Sequence, residues 1–504
     1  MVSLPHITSA NTEEPEPFVL YSQFGAKGDG KTDDIEAIIR AHAFANEHGL
    51  PVRADDGATY YIGGRDRTAI IRTNTDFGTA AFIIDDTDVE NRRSDVFRVT
   101  SRHEPFPLEG ITRLRRDQER IEATLPGPAL IRVTDDKVRR YIRYGPNLDE
   151  GSPQTDVFLV DAEGNVDMDA PIIWDFDQIT EITARLLDEE TLTLRGGRFT
   201  TIANQGESKY TYYSRGIVIT RSNVVVEGLE HRVTGEGEQG APYSGFLRVH
   251  DSANVTIRDT VLTGRKTFAT IGRAGTLVNM GSYGLLLTRS INVSLIRLTQ
   301  TNDIHDNRYW GLMASNYCKN LILDHCVISR FDAHKGVANV TIRNSSLGYQ
   351  GINAIGSGTF TLENSTVHSR RLINLRNDYG STWRGDFVIR NSVFIPRNGE
   401  SYTAGLIGGR NTGRHDFGYT CHMPRRITID TLHIDDSQHP EEDYQGPAIL
   451  ADFNPELTDA SYEWTYPYVL TEEVVLRNVT TASGKPLRLS KNPAMFRDVK
   501  VIHE

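Results

Sequence analysis

Two Asp-x-His triplets lie 29 residues apart, Asp303-Ile-His305 and Asp332-Ala-His334. Near them sit Arg308, Tyr309, Trp310 and Lys335, then Arg370, Arg371, Arg376, Asp378, Trp383 and Arg384. Side chains two apart on an extended segment share a face. Imidazole can take or give a proton near neutral pH, and an adjacent carboxylate can orient it. A guanidinium grips a carboxylate through two parallel N–H bonds. The catalytic set is therefore Asp303, His305, Asp332, His334 and Tyr309. The basic and aromatic neighbours form the binding set. A second basic-aromatic stretch, "GGRNTGRHDFGYTCHMP" at 408–424, adds Arg414 and His415 as a loop over the same place. A lone Asp or His would merely solvate the outside of the protein; the whole cluster points to a site. No metal site is assigned. His and carboxylate are acceptable ligands for a divalent cation such as Ca, but the basic neighbours oppose one.

A third motif misleads. Residues 25–32, "GAKGDGKT", satisfy the phosphate-loop pattern at every fixed position. Yet Asp29 lies inside the loop, and Asp33, Asp34 and Glu36 follow it. They suit a helix N-terminus and would repel a triphosphate. The expectation is a tight turn feeding a helix over 33–48, N-capped by Thr32 or Asp33, with Ile35, Ile38, Ile39, Ala43 and Phe44 on its buried face.

Composition narrows the classes. The chain has 504 residues, 38% hydrophobic and 24% charged, with a formal charge of −12. That is an ordinary globular make-up and argues against a nucleic-acid binder. No apolar run is long enough to span a membrane. The opening "MVSLPHITSANTEEPEP" is polar and shows no signal peptide; either a leader was removed or the protein is not exported by that route. Three cysteines give neither a disulfide framework nor a metal pattern.

The elements that must position the chemistry repeat. "NVVVEGL" starts at 223, "NVTIRDT" at 254, "NVSLIRL" at 292, "NLILDHC" at 320, "NVTIRNS" at 339, "TFTLENS" at 359, "DFVIRNS" at 386, "RITIDTL" at 426 and "EVVLRNV" at 473. Each is a short strand with apolar residues two apart. The closest starts are 19 and 20 residues apart, a solenoid period. The regular leucines of a leucine-rich repeat and the long blades of a propeller are absent. The fold class is thus all-β: a parallel β-helix whose coils stack at ~4.8 Å, with the N-terminal helix covering the open edge of the first coil. The expected organisation is a tail at 1–17, turn and capping helix at 18–55, early coils with a β-rich insertion at 56–215, and the main β-helix with its groove at 216–504. The charged stretch 101–145 breaks the period and reads as inserted.

"FGAKGDGKTDDIEAI" (24–38) resembles the opening segment shared by the pectate-lyase superfamily of right-handed β-helices, phage tailspikes among them. That resemblance implies a right-handed helix, a polysaccharide or oligosaccharide partner, and an extracellular, cell-surface or phage-associated setting. Tailspike-like relatives commonly form homotrimers. No cofactor is implied. "FDAHKGVANVTIRNS" (331–345) also resembles the Asp-Pro-His-Glu region of alginate C5-epimerases. Asp332 and His334 match; Ala333, Lys335 and Ser329 depart from the motif's Pro, Glu and preceding Tyr, which puts epimerisation in doubt.

For such substrates the cluster suggests β-elimination at a uronic acid, a polysaccharide lyase. Arg308, Arg371 or Arg376 would neutralise the carboxylate, His334 oriented by Asp332 would take the C5 proton, and Tyr309 or Lys335 would protonate the leaving oxygen. The alternative is a glycoside hydrolase using Asp303 and Asp332, whose stacking one coil apart would give roughly 5–5.5 Å. A non-catalytic glycan-binding tailspike or adhesin is the third reading. All three assume that counting from each unit's start puts both triplets on one wall.

Overall fold

A computed structural model describes residues 17–504 except 312, 397–403 and 491; nearly all of the expected 1–17 tail lies outside it. Successive repeats pair in parallel, one coil on the next. One inward column runs Leu192, Val224, Val255, Val293, Leu321, Val340, Phe360, Phe387, Ile427, Val474. Every member is 2% exposed or less. Each such side chain contributes about 1.5–3 kcal/mol on burial, so the column alone explains why the register cannot slip.

The asparagines that open the repeats have a structural cause. Asn223, Asn254, Asn292, Asn320 and Asn339 all take left-handed backbone angles, φ 55–60°, a conformation most side chains resist. Their amides form a ladder up the corner. Asn254 donates to Asn223 (2.9 Å), Asn292 to Asn254 (3.1 Å), Asn320 to Asn292 (2.9 Å) and Asn339 to Asn320 (3.2 Å). The next coil has Gly358 at this corner, φ 75°, where a Cβ would lie 2.2 Å from Asn339 Oδ1.

The expected helix forms at Ile35–His48. Its N-terminal cap position is Asp34, although Asp33 Oδ1 accepts from the Ile35 amide. The buried face runs through Ile35, Ile38, Ala41, His42 and Ala45, whereas Ala43 and Phe44 are exposed. This corrects the anticipated face by one step of the helical wheel. The His42 ring packs inward because Tyr21 Oη meets its Nε2 at 2.9 Å. The helix lies against the strand Ala69–Ile71. The phosphate-loop look-alike is filled by its own chain: Asp34 accepts from the amides of Lys27 and Gly28, and Asp29 from those of Lys31 and Thr32.

A four-stranded antiparallel sheet interrupts the solenoid: Phe106–Pro107, Ala129–Arg140, Ser152–Val160 and Glu181–Leu186. It reaches well past the charged stretch 101–145. It has its own core, including Ile131, Val133, Phe158 and Phe176. A second face docks on the coils, where Val157 and Leu159 meet Ala253 and Ile291. Lys319 of the solenoid strand Met313–Asp324 pairs with Asp156 of the sheet at 2.8 Å, both about 1% exposed.

Asn292→Ala removes two rungs of the amide ladder and puts alanine in a left-handed turn. The expected cost is about 2 kcal/mol, read by urea denaturation. Asn292→Gly, which keeps the turn, should cost less; equal losses would refute the backbone part of this account.

Candidate functional site

The strand Val327–Arg343 holds the second triplet. Its neighbours come from the next coils, with Asp332 beside Asn353 and Asn353 beside Asn374. The Asn374 amide donates to Asn353 Oδ1 at 2.9 Å, a short ladder on the outside of the wall. Beyond it the chain turns through Arg376 into Asn377–Tyr379.

A buried charge network crosses these rungs. Asp332 is fully buried and accepts from Arg330 (2.9 Å), Arg376 (2.7 Å) and Tyr283 Oη (3.2 Å). Arg376 also holds Asp378 at 2.8 Å, and Asp378 in turn pairs with Arg143 at 2.8 Å. Burial alone would raise the Asp332 carboxyl, but Arg330 and Arg376 overcome it and hold the group at about 2. Asp378 is likewise held far below the carboxylate range against burial, chiefly by Arg376. Both are ionised at any working pH. Arg330 lies 4.6 Å over the Trp310 ring and donates to Gln350 Oε1 at 3.1 Å.

His334 sits beside this network without touching Asp332 through a hydrogen bond. Its Nδ1 meets Asn316 Oδ1 at 3.1 Å and its Nε2 meets Tyr379 Oη at 3.5 Å. Burial, then Arg376, lowers its pKa to about 3, so the ring is neutral. Burial likewise lowers the Lys335 ammonium, which donates to Ser152 Oγ at 2.6 Å.

The hairpin tip between Arg140 and Ser152 closes over these residues. Arg143 reaches Asp378, and the Tyr144 amide donates to the Asp378 carbonyl at 2.9 Å. His415 holds the tip through the Ile142 carbonyl (3.2 Å) and packs on Tyr144, ring centroids 5.3 Å apart. Tyr141 packs edge-on to Tyr379. Gly336, at φ 76°, makes room for it: a Cβ there would lie 2.1 Å from Tyr141 Oη. An open groove remains beside the tip. One part, about 240 Å³, is lined by Arg143, Arg330, Asn353, Arg376 and Asp378; a second, about 670 Å³, by Arg370, Arg371, Arg410 and Asp452. Asn374 and Asn377 line both.

The triplets do not stack, and this corrects the counting argument. After Thr299–Gln300 the chain leaves the wall and re-enters at Met313. Asp303 and His305 lie on that excursion. The Ile304 carbonyl accepts from Tyr349, and the His305 ring packs 4.5 Å from His368. The residues that flank the second triplet from the preceding coil are Ser315 and Asn316. The Asp303/Asp332 pair and a metal site built from both triplets therefore have no geometric basis. Tyr309 stays on the same excursion, bridged to Lys266, and Arg308 is exposed and paired with Asp306 at 2.6 Å. Trp383 is fully buried against Phe360 and Phe387 and cannot meet a ligand. Arg414 pairs with Glu456 on a separate surface. Arg384 lines a different cavity. Sequence reasoning missed Arg330, Arg143 and Asn353. Only Arg330, two before Asp332 on the same strand, carried a local signal. Among the described residues no cluster of three or more His, Cys, Asp or Glu is disposed to hold a metal, and no helix is long and apolar enough to cross a membrane.

No protein-family model matches the chain, and no curated protein matches it. Solved structures do. The tailspike of Pseudomonas phage phi297 is 13% identical with a TM-score of 0.54, covering 96% of this chain and 83% of its own. The tailspike of Acinetobacter baumannii bacteriophage AP22, solved with capsular saccharide, is 11% identical at 0.49, covering 96% and 79%. That of Pseudomonas phage LKA1 is 12% identical at 0.48, covering 92% and 81%. The first of these establishes a shared fold, the right-handed parallel β-helix.

Two outcomes test this description. Lys319→Met leaves Asp156 buried and unpaired, with an expected loss of about 3–5 kcal/mol in chemical denaturation, while Lys319→Met/Asp156→Leu recovers most of it. Equal loss in both would refute the role of the pair. Acid should act in two windows. His334, depressed to about 3 when folded, makes the unfolded chain the better proton binder below its ordinary ~6.5. Its share of stability is full above that value and declines as pH falls toward 3. Asp332, held at about 2, contributes fully above ~3.9 and loses that contribution as pH falls through 2. Thermal melts should thus weaken from near pH 6.5 downward, and His334→Gln should reduce the slope of the upper window, which His42, His231, His250 and His422, also lowered by burial, share.

Proposed function

We propose that this chain is a carbohydrate-active protein that binds an acidic polysaccharide in the Arg330–Asn353–Asn374 groove and cleaves it by β-elimination at a uronic acid. The observation that carries this reading is the pair Arg330 and Arg376. They lie at the groove floor, Arg330 buried and Arg376 partly so, and are locked by Asp332 and Asp378. Cations fixed before the ligand arrives stabilise developing negative charge without reorganisation. A uronate carboxylate against Arg376 or Arg143 would lose the charge that makes its C5 proton hard to remove.

The electron flow is simple. A base takes the C5 proton, the C4=C5 double bond forms, the C4–O bond breaks, and the departing oxygen takes a proton. His334, neutral and beside Arg376 and Tyr379 Oη, takes the base role; burial and Arg376 depress its proton affinity, and a uronate carboxylate paired with Arg376 would offset the second of these. Lys335, whose ammonium is weakened by burial, suits the proton donor. Both lie under the hairpin tip, so the scheme needs the tip to admit the sugar.

Hydrolysis is less well supported. A glycosidase needs one carboxyl with a raised pKa as its general acid. The groove-floor carboxyls Asp332 and Asp378 are both pushed the other way. In the same reading, the helix Ile35–His48 covers the first coil's free edge.

Purified protein, incubated with uronate and neutral polysaccharides, should generate ultraviolet-absorbing unsaturated ends from a uronate polymer only. His334→Ala should lower kcat about 100-fold or more, and Arg376→Ala should do at least as much. Reducing ends without the absorbance would replace elimination by hydrolysis. Retention of the polymer without any product would leave a binding protein.

A further inference from the structure

A second cavity lies where the inserted sheet meets the coils. It holds about 400 Å³, within the roughly 300–1,000 Å³ of small-ligand sites. Arg116, Arg140 and Trp174 come from the insertion; Arg384, Tyr419 and His422 come from the solenoid side. It is separate from the groove. Along the strand Val327–Arg343 the groove touches Arg330, whereas this cavity touches Gly336 and Val337, with Tyr141 in its wall.

Its charges differ from those of the groove floor. The three arginines at the groove floor, Arg143, Arg330 and Arg376, are matched by carboxylates, whereas Arg116, Arg140 and Arg384 make no ion pair among the described residues. Arg116 Nε donates to the Ile173 carbonyl at 2.7 Å. Arg140 Nε donates to Gln154 Oε1 at 2.8 Å, and another of its nitrogens to the Gly418 carbonyl. Arg140 stacks 4.8 Å over Trp174, and Arg116 lies 5.9 Å from the same ring. The side chain of Arg384 is exposed. Asp175 also lines the cavity; its Oδ1 accepts from the Arg116 backbone amide at 3.0 Å, and its charge partly offsets that of Arg116.

The guanidiniums also oppose one another. Burial, and then Arg384, weakens the hold of Arg116 on its proton, and burial with Arg116 does the same to Arg140. Burial, Arg384 and Arg116 bring His422 to about 4, so it is neutral and adds no compensating charge. Three cations line one partly open cavity with one carboxylate among them, and they repel one another in the empty protein. A bound anion relieves that repulsion. Guanidinium forks match planar or tetrahedral oxyanions bidentately, and the Trp174 and Tyr419 rings offer apolar walls of the kind a sugar ring covers.

We propose that this cavity is a second glycan subsite, which takes a single anionic sugar residue through its carboxylate, sulfate or phosphate group. It does not depend on elimination in the groove.

Titration of the full chain with monosaccharide probes, followed by calorimetry and tryptophan fluorescence, tests it. Galacturonate, galactose 6-sulfate and glucose 6-phosphate separate the three sources of the oxyanion; galactose and inorganic sulfate are the controls. At least one charged sugar should bind more tightly than both controls. Arg384→Ala, at an exposed side chain, should weaken that binding about 10-fold or more. Trp174→Phe should abolish the fluorescence change. Asn374→Leu, in the groove, should leave probe binding intact while impairing the polymer, which separates failure here from failure of the groove reading. Galactose binding as well as the charged sugars, inorganic sulfate binding as well as them, or Arg384→Ala and Arg116→Ala both binding like the unmodified protein would overturn the proposal.

Discussion

The buried pair Lys319–Asp156 is the constraint on which both cavities depend. Each charge is about 1% exposed, and Lys319 also donates to the Pro171 carbonyl at 2.5 Å. Two ions removed from water gain little net stability from one another, but removing either partner is costly. Such a contact therefore fixes where the inserted sheet may sit, because no shifted docking satisfies both charges. The hairpin tip carrying Tyr141 and Arg143 extends from the strands that this contact anchors. The apolar contact of Val157 and Leu159 with Ala253 and Ile291 supplies area; the ion pair supplies register.

The solenoid was legible because its stabilising contacts repeat. A column of inward residues and a ladder of left-handed asparagines leave the same letters at the start of each unit, so nine short segments could be aligned by eye. Their neighbours in space proved to be their neighbours in that alignment. The helix was legible for a similar reason, although its face was misjudged. A buried histidine satisfied by Tyr21 does not advertise itself as core.

The site was legible in part. Asp332, His334 and Lys335 are together because they are adjacent in sequence, and Arg376 and Asp378 because they end the wall two coils on. Counting failed for Asp303 and His305 for a physical reason. The coil that begins at 292 runs 28 residues to the next start, against 19 for its successor. The surplus leaves the wall as a turn, so equal offsets stop meaning equal positions. Trp383 failed because alternation on a strand can turn an aromatic inward as easily as outward. Arg143 could not have been found at all. It stands 235 residues from Asp378, in an antiparallel insertion whose docking no repeat encodes.

The charge count across the groove floor gives the site its direction. Arg143, Arg330 and Arg376 face Asp332 and Asp378, three cations to two anions. The two carboxylates are accounted for: Asp332 has three donors and Asp378 two arginines. Were the arginines there only to stabilise the fold, equal numbers would serve better, since an excess charge in a partly dry place is unfavourable. The aspartates instead act as fixed counter-charges that hold planar guanidiniums in one orientation. The surplus positive charge opens toward the side where Asn353 and Asn374 offer uncharged hydrogen-bonding edges. A neutral sugar would use the amides and leave the excess unanswered. On the proposed reading a polyanionic chain would use both, its repeat along the coil axis meeting the successive rungs.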